Sequence, residues 1–218
     1  MSDPQKPSIS RRGFLKAASV TAASTLVESV HAVAKEANEA SRGPRTSGPG
    51  LVPIVLHVNG IAHSLTVEPR LTLAEALRDS LGLTGTKVVC DRGSCSACTI
   101  WLDKLPTLSC MTLAIDVGSR NITTIEGIAT GSQLHPVQAA FVKHDAMQCG
   151  FCTPGMVMSC VALLDRNPSP TLDDVKHAVS GNLCRCGTYP KVFAATLEVA
   201  QGRKLVNPII SANREKGA

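Results

Sequence analysis

Cysteine is the chemically distinctive residue of this 218-residue chain, which contains nine of them. Eight fall into two sets of four. The first set has the spacing C-x4-C-x2-C with a fourth cysteine further on, and consists of Cys90, Cys95, Cys98 and Cys110. The second has C-x2-C followed much later by C-x-C, and consists of Cys149, Cys152, Cys184 and Cys186. Four thiolates can hold one metal centre, and the first spacing is that of plant-type 2Fe-2S proteins. Two such centres without visible substrate machinery favour electron transfer as the function.

Three other uses of these thiols are weaker interpretations. A disulfide framework is common in exported proteins, but Cys184 and Cys186 are one residue apart, so each would need a partner in another crowded group. Structural zinc also uses C-x2-C pairs, yet it usually takes two of them, and neither C-x4-C-x2-C nor C-x-C is the common form. A Rieske centre needs two histidine ligands, and no histidine lies within two residues after any of these cysteines.

The loop that contains the first three cysteines is built from small residues. Gly93, Ser96 and Ala97 leave room for the backbone to approach an inorganic core closely. Hydrogen bonds from the amides of such a loop help to set a cluster's reduction potential. Cys160, by contrast, lies among apolar residues of a predicted helix, and we expect a buried structural thiol there.

The N-terminal segment has the features of an export signal. Ser10-Arg11-Arg12-Gly13-Phe14-Leu15-Lys16 matches the twin-arginine pattern and precedes a short apolar run. Ala32-Val33-Ala34 is a cleavage pattern of the A-x-A type, and the apolar run is shorter than the ~20 residues that a membrane span requires. Residues 1–34 therefore predict a twin-arginine signal peptide and a periplasmic protein, exported folded with its clusters already in place. An amphipathic basic helix is the alternative.

Composition excludes several other classes of function. The apolar fraction of 44% suffices for packed cores, and the net charge of +5 is not organised into a basic stripe with interleaved aromatics, so nucleic acid is not an expected partner. No Ser/His/Asp set, phosphate loop or pair of catalytic carboxylates is recognisable, so no catalytic residue is predicted. Five of the six histidines are expected to be solvated or core residues rather than ligands: His57, His63, His135, His144 and His177.

Elements around the first cysteine set predict a small mixed domain over residues 53–127, after a flexible linker at 35–52. Residues 54–67 alternate on both sides of Asn59-Gly60, which predicts a hairpin with a type I′ turn. Thr72 and Glu75 form a capping box that opens a helix ending near 79–82. Strands are expected at 99–102, 108–113 and 122–125.

Elements around the second set predict a four-helix domain over residues 128–205, followed by a tail at 206–218. The expected helices span 135–143, Thr153 as N-cap through 165, 171 to about 180–182, and 189–200. Both cysteine pairs of this set then lie at helix junctions, which predicts a cluster buried between helix ends.

At these residues the chain resembles the iron–sulfur subunits of the molybdenum hydroxylases, the xanthine oxidase and aldehyde oxidoreductase family. The likeness extends from residue 54 to about 203 and is carried by four segments: residues 83–87, 90–98, 147–155 and 181–187. It implies an α+β architecture, with an N-terminal β-grasp 2Fe-2S ferredoxin-like domain followed by a four-helix 2Fe-2S domain. It also implies that Cys90 and Cys95 hold one iron of the first cluster, and Cys98 and Cys110 the other. The family often has glycine where Ser96 and Lys104 stand.

The resemblance further implies a path for electrons. In the family they leave a molybdopterin site in a large subunit, pass the helical-domain cluster, then the ferredoxin-like one, and reach FAD in another subunit. Positions matching Gln148 and Cys186 lie against the pterin, and we carry that contact over as a prediction. A local backbone cap is the alternative role of Gln148.

The substrate is not encoded in recognisable residues. The export signal makes the chain similar to the small subunits of periplasmic aldehyde oxidoreductases, which implies a heterotrimer that oxidises aldehydes to carboxylic acids. The alternatives are the small subunit of an N-heterocycle hydroxylase with a cytochrome c acceptor, a free-standing ferredoxin-like carrier, and a zinc-stabilised interaction module.

Overall fold

The computed structural model describes residues 48–202. The predicted signal peptide, most of the predicted linker and the predicted tail lie outside these residues. Within 48–202 no helix is both long and apolar enough to span a membrane.

A mixed five-stranded sheet forms the first half. Its strands are β1 (Val52–Val58), β2 (Ile61–Val67), β3 (Thr99–Leu102), β4 (Leu105–Leu108) and β5 (Asn121–Thr123), in the order β2-β1-β5-β3-β4. β1 and β5 are parallel, and the other neighbours are antiparallel. Strand β1 buries Leu56 and Val58 in the core, with a more open residue between them. Helix α1 (Leu73–Glu75), continued by a π-helical turn (Ala76–Ser80), packs on the sheet through Leu73 and Leu77.

In this half, the predictions that depend on residues close together in sequence are confirmed. Asn59 and Gly60 both have positive φ, as a type I′ turn requires. Thr72 accepts from the Glu75 amide while the Glu75 carboxylate accepts from the Thr72 amide, which is the expected capping box. Asp103 and Lys104 (φ 50° and 65°) make the β3–β4 turn left-handed without glycine.

One strand prediction in this half is wrong, and another extends too far at its end. Residues 108–113 were expected to be extended, but β4 ends at Leu108 and Ser109–Met111 is a 3-10 turn. The turn places Cys110 beside Cys98, and the Ser109 hydroxyl donates to the Cys98 carbonyl at 2.7 Å. The last strand also ends early, because a 3-10 turn (Ile125–Ile128) begins two residues after β5.

Four helices form the second half, as predicted: α2 (Pro136–Lys143), α3 (Thr153–Arg166), α4 (Leu172–Ala178) and α5 (Tyr189–Gly202). Their shared core contains fully buried Phe141, Met156, Leu164 and Val192. Cys160 lies in this core and is fully buried, as expected. The N-cap of α3 is Cys152 rather than Thr153, so a cysteine of the second set itself begins the helix. α4 ends at Ala178, slightly before the predicted 180–182.

The sheet and the helices are joined at β3 and α3. The Trp101 indole N–H donates to the Met158 carbonyl at 3.0 Å, and Trp101 packs against the helical core. Gly155 of α3 approaches the loop before β3 so closely that a Cβ there would lie 2.2 Å from the Ser96 carbonyl oxygen. This contact brings the two cysteine regions together.

Candidate iron–sulfur sites

The first cysteine set comes together as two thiol pairs. The Cys95 side chain lies close enough to Cys90 to lower the pKa of that thiol, and Cys98 packs with Cys110 and raises its pKa. Cys90 also interacts electrostatically with Cys110, which links the pairs into one centre. The three later cysteines are buried, and Cys90 is half-buried.

A tight loop positions this centre. Asp91, Gly93 and Ser96 have φ values of 51°, 72° and 54°, so the backbone curls repeatedly in the left-handed region. The curl directs the Ser94 amide to the Cys90 sulfur at 3.2 Å. Hydrogen bonds, first from the Arg92 amide, lower the pKa of Cys90 to about 7. Burial, and then Cys98, raise the pKa of Cys110 to about 11.

The second set also comes together as two pairs. The sulfurs of Cys149 and Cys186 are 3.5 Å apart, and the Cys184 side chain lies close enough to Cys152 to affect the pKa of that thiol. Cys152 and Cys149 also interact electrostatically. Burial, and then Cys184, raise the pKa of Cys152 to about 12. Burial opposes ionisation of Cys184 as well, but hydrogen bonds from the side chain and backbone of Thr188 lower its pKa to about 7.

This second centre is more open than the sequence predicted. Cys149 is exposed, and Cys152, Cys184 and Cys186 are only half-buried, so the expectation of a cluster buried between helix ends is wrong for this chain by itself. Helix junctions do supply the cysteines, but the loop 147–152 lies at the surface, with Gln148 and Phe151 exposed beside Cys149.

Both centres offer the ligands that a diiron cluster needs. A 2Fe-2S cluster takes two thiolates on each iron, and each set offers two thiol pairs. All nine cysteines are free, so no disulfide competes for them. Two easily ionised thiols, Cys90 and Cys184, each lie in a different centre, and metal binding requires thiolates.

The two centres are joined by backbone hydrogen bonding. The Leu183 amide donates to the Cys95 carbonyl at 3.1 Å, so residues next to or within each cysteine set touch directly. Asn182 is almost fully buried, and its amide nitrogen donates to the Ser96 carbonyl at 3.2 Å while its oxygen accepts from the Ser159 hydroxyl at 3.0 Å. The arrangement provides a short connection between two cofactor sites.

Comparison with known proteins gives this arrangement a family. Residues 56–114 match the 2Fe-2S iron-sulfur cluster binding domain, and residues 124–197 match the [2Fe-2S] binding domain. The aldehyde oxidoreductase iron-sulfur-binding subunit PaoA of Escherichia coli O157:H7 is 39% identical over 213 residues, covering 91% of each chain. The chain is an iron–sulfur subunit of the molybdenum hydroxylase family.

Relatives of this subunit are not restricted to one activity. The nicotine 6-hydroxylase small subunit of Paenarthrobacter nicotinovorans is 47% identical over 147 residues, covering 67% of this chain and 88% of that one. The crystal structure of quinoline 2-oxidoreductase from Pseudomonas putida 86 aligns with a TM-score of 0.68 at 43% identity, covering 71% of this chain and 96% of that one. The α+β fold with a ferredoxin-like half and a helical half is thus shared across the family.

The eight predicted ligand cysteines are brought together, whereas the pterin contact of Gln148 and Cys186 stays a prediction. The Gln148 side chain is exposed and makes no hydrogen bond to another residue of 48–202, which argues against the local-cap alternative. Among the histidines, His135 caps α2 and His144 contacts the Glu198 carboxylate at 2.7 Å. Sequence reasoning missed Asn182, Thr188 and Tyr189 as parts of the site. Only their position beside the C-x-C pair could have drawn attention to them.

Proposed function

We propose that this subunit carries electrons from a molybdopterin site in a large partner subunit to an FAD-binding subunit, in a periplasmic heterotrimer that oxidises aldehydes to carboxylic acids. Its eight paired cysteines hold two 2Fe-2S clusters, which supply one-electron acceptor and donor chemistry. The chain itself provides no catalytic residue. Its cysteines ionise to serve as ligands. The contact between the two halves holds the centres next to each other, and burial excludes water from three cysteines of the first centre.

The observation that carries this proposal is the direct contact between the two centres. Electron transfer needs closely spaced cofactors, and the Leu183 amide and Cys95 carbonyl are in contact at 3.1 Å. Leu183 is adjacent to Cys184, so the hydrogen bond connects a ligand of one centre to the neighbour of a ligand of the other. A protein using zinc for structure alone would not require this proximity.

The openness of the helical centre supports its place next to the large subunit. Gln148 and Cys149 are exposed, and the Cys186 sulfur lies against that of Cys149. A polar amide beside a ligand sulfur suits the hydrogen-bonding edge of a pterin. We therefore retain Gln148 and Cys186 as the pterin contact. The same exposure argues against a free-standing carrier, since half-open thiolate clusters are vulnerable in solution.

Aldehyde oxidation is favoured by the extent of the match. The Escherichia coli aldehyde oxidoreductase subunit aligns over 91% of this chain. Residues 48–218 make up less than four fifths of the chain, so that alignment necessarily extends into residues 1–47. The proposal of export rests on the twin-arginine pattern at residues 10–16.

The second candidate is an N-heterocycle hydroxylase with a cytochrome c acceptor. It is favoured by the higher local identity to the nicotine 6-hydroxylase small subunit and by the match to the quinoline 2-oxidoreductase structure. The two candidates differ in the substrate that the large subunit oxidises and in the acceptor.

The test is to purify the whole complex through this chain from a cell fraction prepared without oxygen damage. We expect four irons with acid-labile sulfide per chain, molybdenum and FAD in larger co-purifying subunits, and turnover of aldehydes but not of nicotinate or quinoline. Recovery of the chain alone would support the free carrier, and haem in place of FAD with heterocycle turnover would support the second candidate.

Export is tested separately by the double variant Arg11→Lys with Arg12→Lys, which should retain the chain in the cytoplasm. Unchanged recovery of this variant from the periplasm would contradict export by this route.

A further inference from the structure

Thr188 immediately precedes α5, but its hydroxyl lies against the Cys184 sulfur and not against the first amides of the helix. Its carbonyl accepts from the amides of Lys191 at 3.0 Å and Val192 at 3.1 Å, so it opens the helix. A threonine here would ordinarily be explained as an N-cap. Its Oγ1, however, lies 3.2 Å from the sulfur of Cys184, and Thr188 is only 6% exposed.

The direction of this hydrogen bond follows from the state of the sulfur. Between a free thiol and a hydroxyl either group can donate. A metal-bound cysteine is a thiolate and has no proton, so the hydroxyl must donate. A hydrogen bond to an ionised acceptor is stronger than one between neutral groups.

We propose that the Thr188 hydroxyl donates to the Cys184 thiolate and thereby raises the reduction potential of the helical-domain cluster, an inference that rests on the proposed function. The reduced cluster carries one more negative charge than the oxidised one. A donor on a ligand sulfur stabilises the more negative state more, so the potential rises. A higher potential favours arrival of the electron at this centre from the large subunit.

The surrounding loop holds the donor in place. Gly187 has a φ of 74° and donates to the Cys184 carbonyl at 3.2 Å, which closes the turn under the sulfur. The Tyr189 hydroxyl accepts from the Cys184 amide at 2.8 Å and donates to the Asn182 carbonyl at 2.9 Å. Backbone on both sides of Thr188 is therefore fixed relative to Cys184.

Among residues 48–202, the first centre has no equivalent side-chain hydroxyl bonded to a ligand sulfur. There the Cys90 sulfur accepts from the Ser94 backbone amide at 3.2 Å, and a backbone donor survives a change of side chain. Substitution of Thr188 should therefore change the reduction potential of one cluster only. A general loss of folding would affect both clusters.

The experiment is a potentiometric titration of the purified complex, followed by the EPR signals of its two reduced clusters. The helical-domain signal is identified by its loss in Cys149→Ser. Thr188→Val replaces the hydroxyl by a methyl group of similar size. We expect it to move the midpoint of the helical-domain signal to a more negative potential, with the other midpoint and the iron content unchanged. Thr188→Ser retains a donor and should retain the native midpoint.

Thr196→Val is the matched control. Thr196 is fully buried in the same helix, and its hydroxyl donates to the Val192 carbonyl at 2.8 Å, away from the ligands, so neither midpoint should move. An unchanged midpoint in Thr188→Val with full iron overturns the proposal, as do equal shifts in the valine and serine variants.

Loss of the helical-domain cluster from both Thr188→Val and Thr188→Ala, with retention in Thr188→Ser, also overturns it, because the hydroxyl would then be needed to assemble the site. These outcomes are separate from failure of the proposed function. Absence of aldehyde turnover in a complex whose clusters titrate as expected would contradict the substrate and leave the role of Thr188 supported.

Discussion

The two cysteine centres differ in how completely this chain encloses them. In the ferredoxin-like half Cys95, Cys98 and Cys110 are 7%, 3% and 6% exposed. In the helical half no cysteine of the set is buried, and Cys149 is exposed. Three cysteines of the first centre are therefore closed in by their own domain, with Cys90 half-buried, while the second centre is half-open at the surface. The difference supports the proposal that a partner subunit covers the second centre.

The centres also differ in the groups that hold them. Left-handed loop residues and backbone amides surround Cys90, whereas helix ends and the side chains of Thr188 and Tyr189 surround Cys184. A backbone cradle tolerates many side-chain changes. A cradle of side chains can be altered one group at a time. Substitutions should therefore affect the helical centre more selectively.

The largest expected effect comes from breaking the open centre. Cys149→Ser replaces a proposed thiolate ligand by a hydroxyl, which is a poor ligand for iron, so reduction of the acceptor should be abolished. Because the first centre is enclosed separately, its EPR signal should barely change. The measurement is turnover together with EPR and iron content of the complex. Retained turnover would contradict the electron path, and loss of both signals would show that the centres do not form independently.

A second large effect is expected where the two halves meet. In Gly155→Ala the new Cβ would lie 2.2 Å from the Ser96 carbonyl oxygen, and backbone on both sides has little freedom to move. We expect destabilisation of about 3 kcal/mol, at the upper end of typical overpacking. Gly202→Ala is the control, since that glycine is helical and has open space around it. Thermal unfolding of the complex measures both; equal midpoints would show that this close approach is unimportant.

Prediction from sequence succeeded for features decided by local chemistry. The Thr72 capping box and the Asn59-Gly60 turn depend on residues a few positions apart, and both are found. Thr171 and Asp174 form a second capping box, which was not predicted, at the predicted start of a helix. The grouping of cysteines into two sets followed from spacing and family likeness. The exact strand at 108–113 did not, because Cys110 is drawn into a 3-10 turn by its packing against Cys98, which is a tertiary contact.

The missed parts of the site share one physical reason. Asn182 contacts Ser96 across 86 positions, and its role depends on how the helical half docks on the cysteine loop. The openness of Cys149 depends on what surrounds a loop and not on the loop's own residues. Neither property leaves a pattern in the order of amino acids. Short-range geometry is readable from sequence, whereas contacts between the halves are not.

A moderate effect is expected from loosening the contact between the centres. Asn182→Ala removes the donor to Ser96 and leaves the Ser159 hydroxyl without its acceptor in a buried place. Loss of such a buried hydrogen bond costs about 1–3 kcal/mol. Ser159→Ala leaves the Asn182 hydrogen bond to Ser96 in place and should destabilise the protein less. The difference between the two thermal midpoints therefore measures the contact between the halves. Equal midpoints would place the effect inside the helical half alone.

The smallest expected effect compares one capping box in each half. Hydrogen bonds, first from the Thr72 amide, lower the pKa of Glu75 below its ordinary 4.5, and the Thr171 amide similarly lowers the pKa of Asp174 below 3.8. A lowered pKa in the folded state means that each ionised carboxylate contributes stability above its ordinary pKa, and that this contribution is lost as pH falls through the folded pKa. Glu75→Gln and Asp174→Asn should therefore be less stable than the native protein at pH 7, and the differences should shrink below about pH 4. Midpoints measured across this range test both; a difference that stays constant with pH would show that charge is not what these boxes contribute.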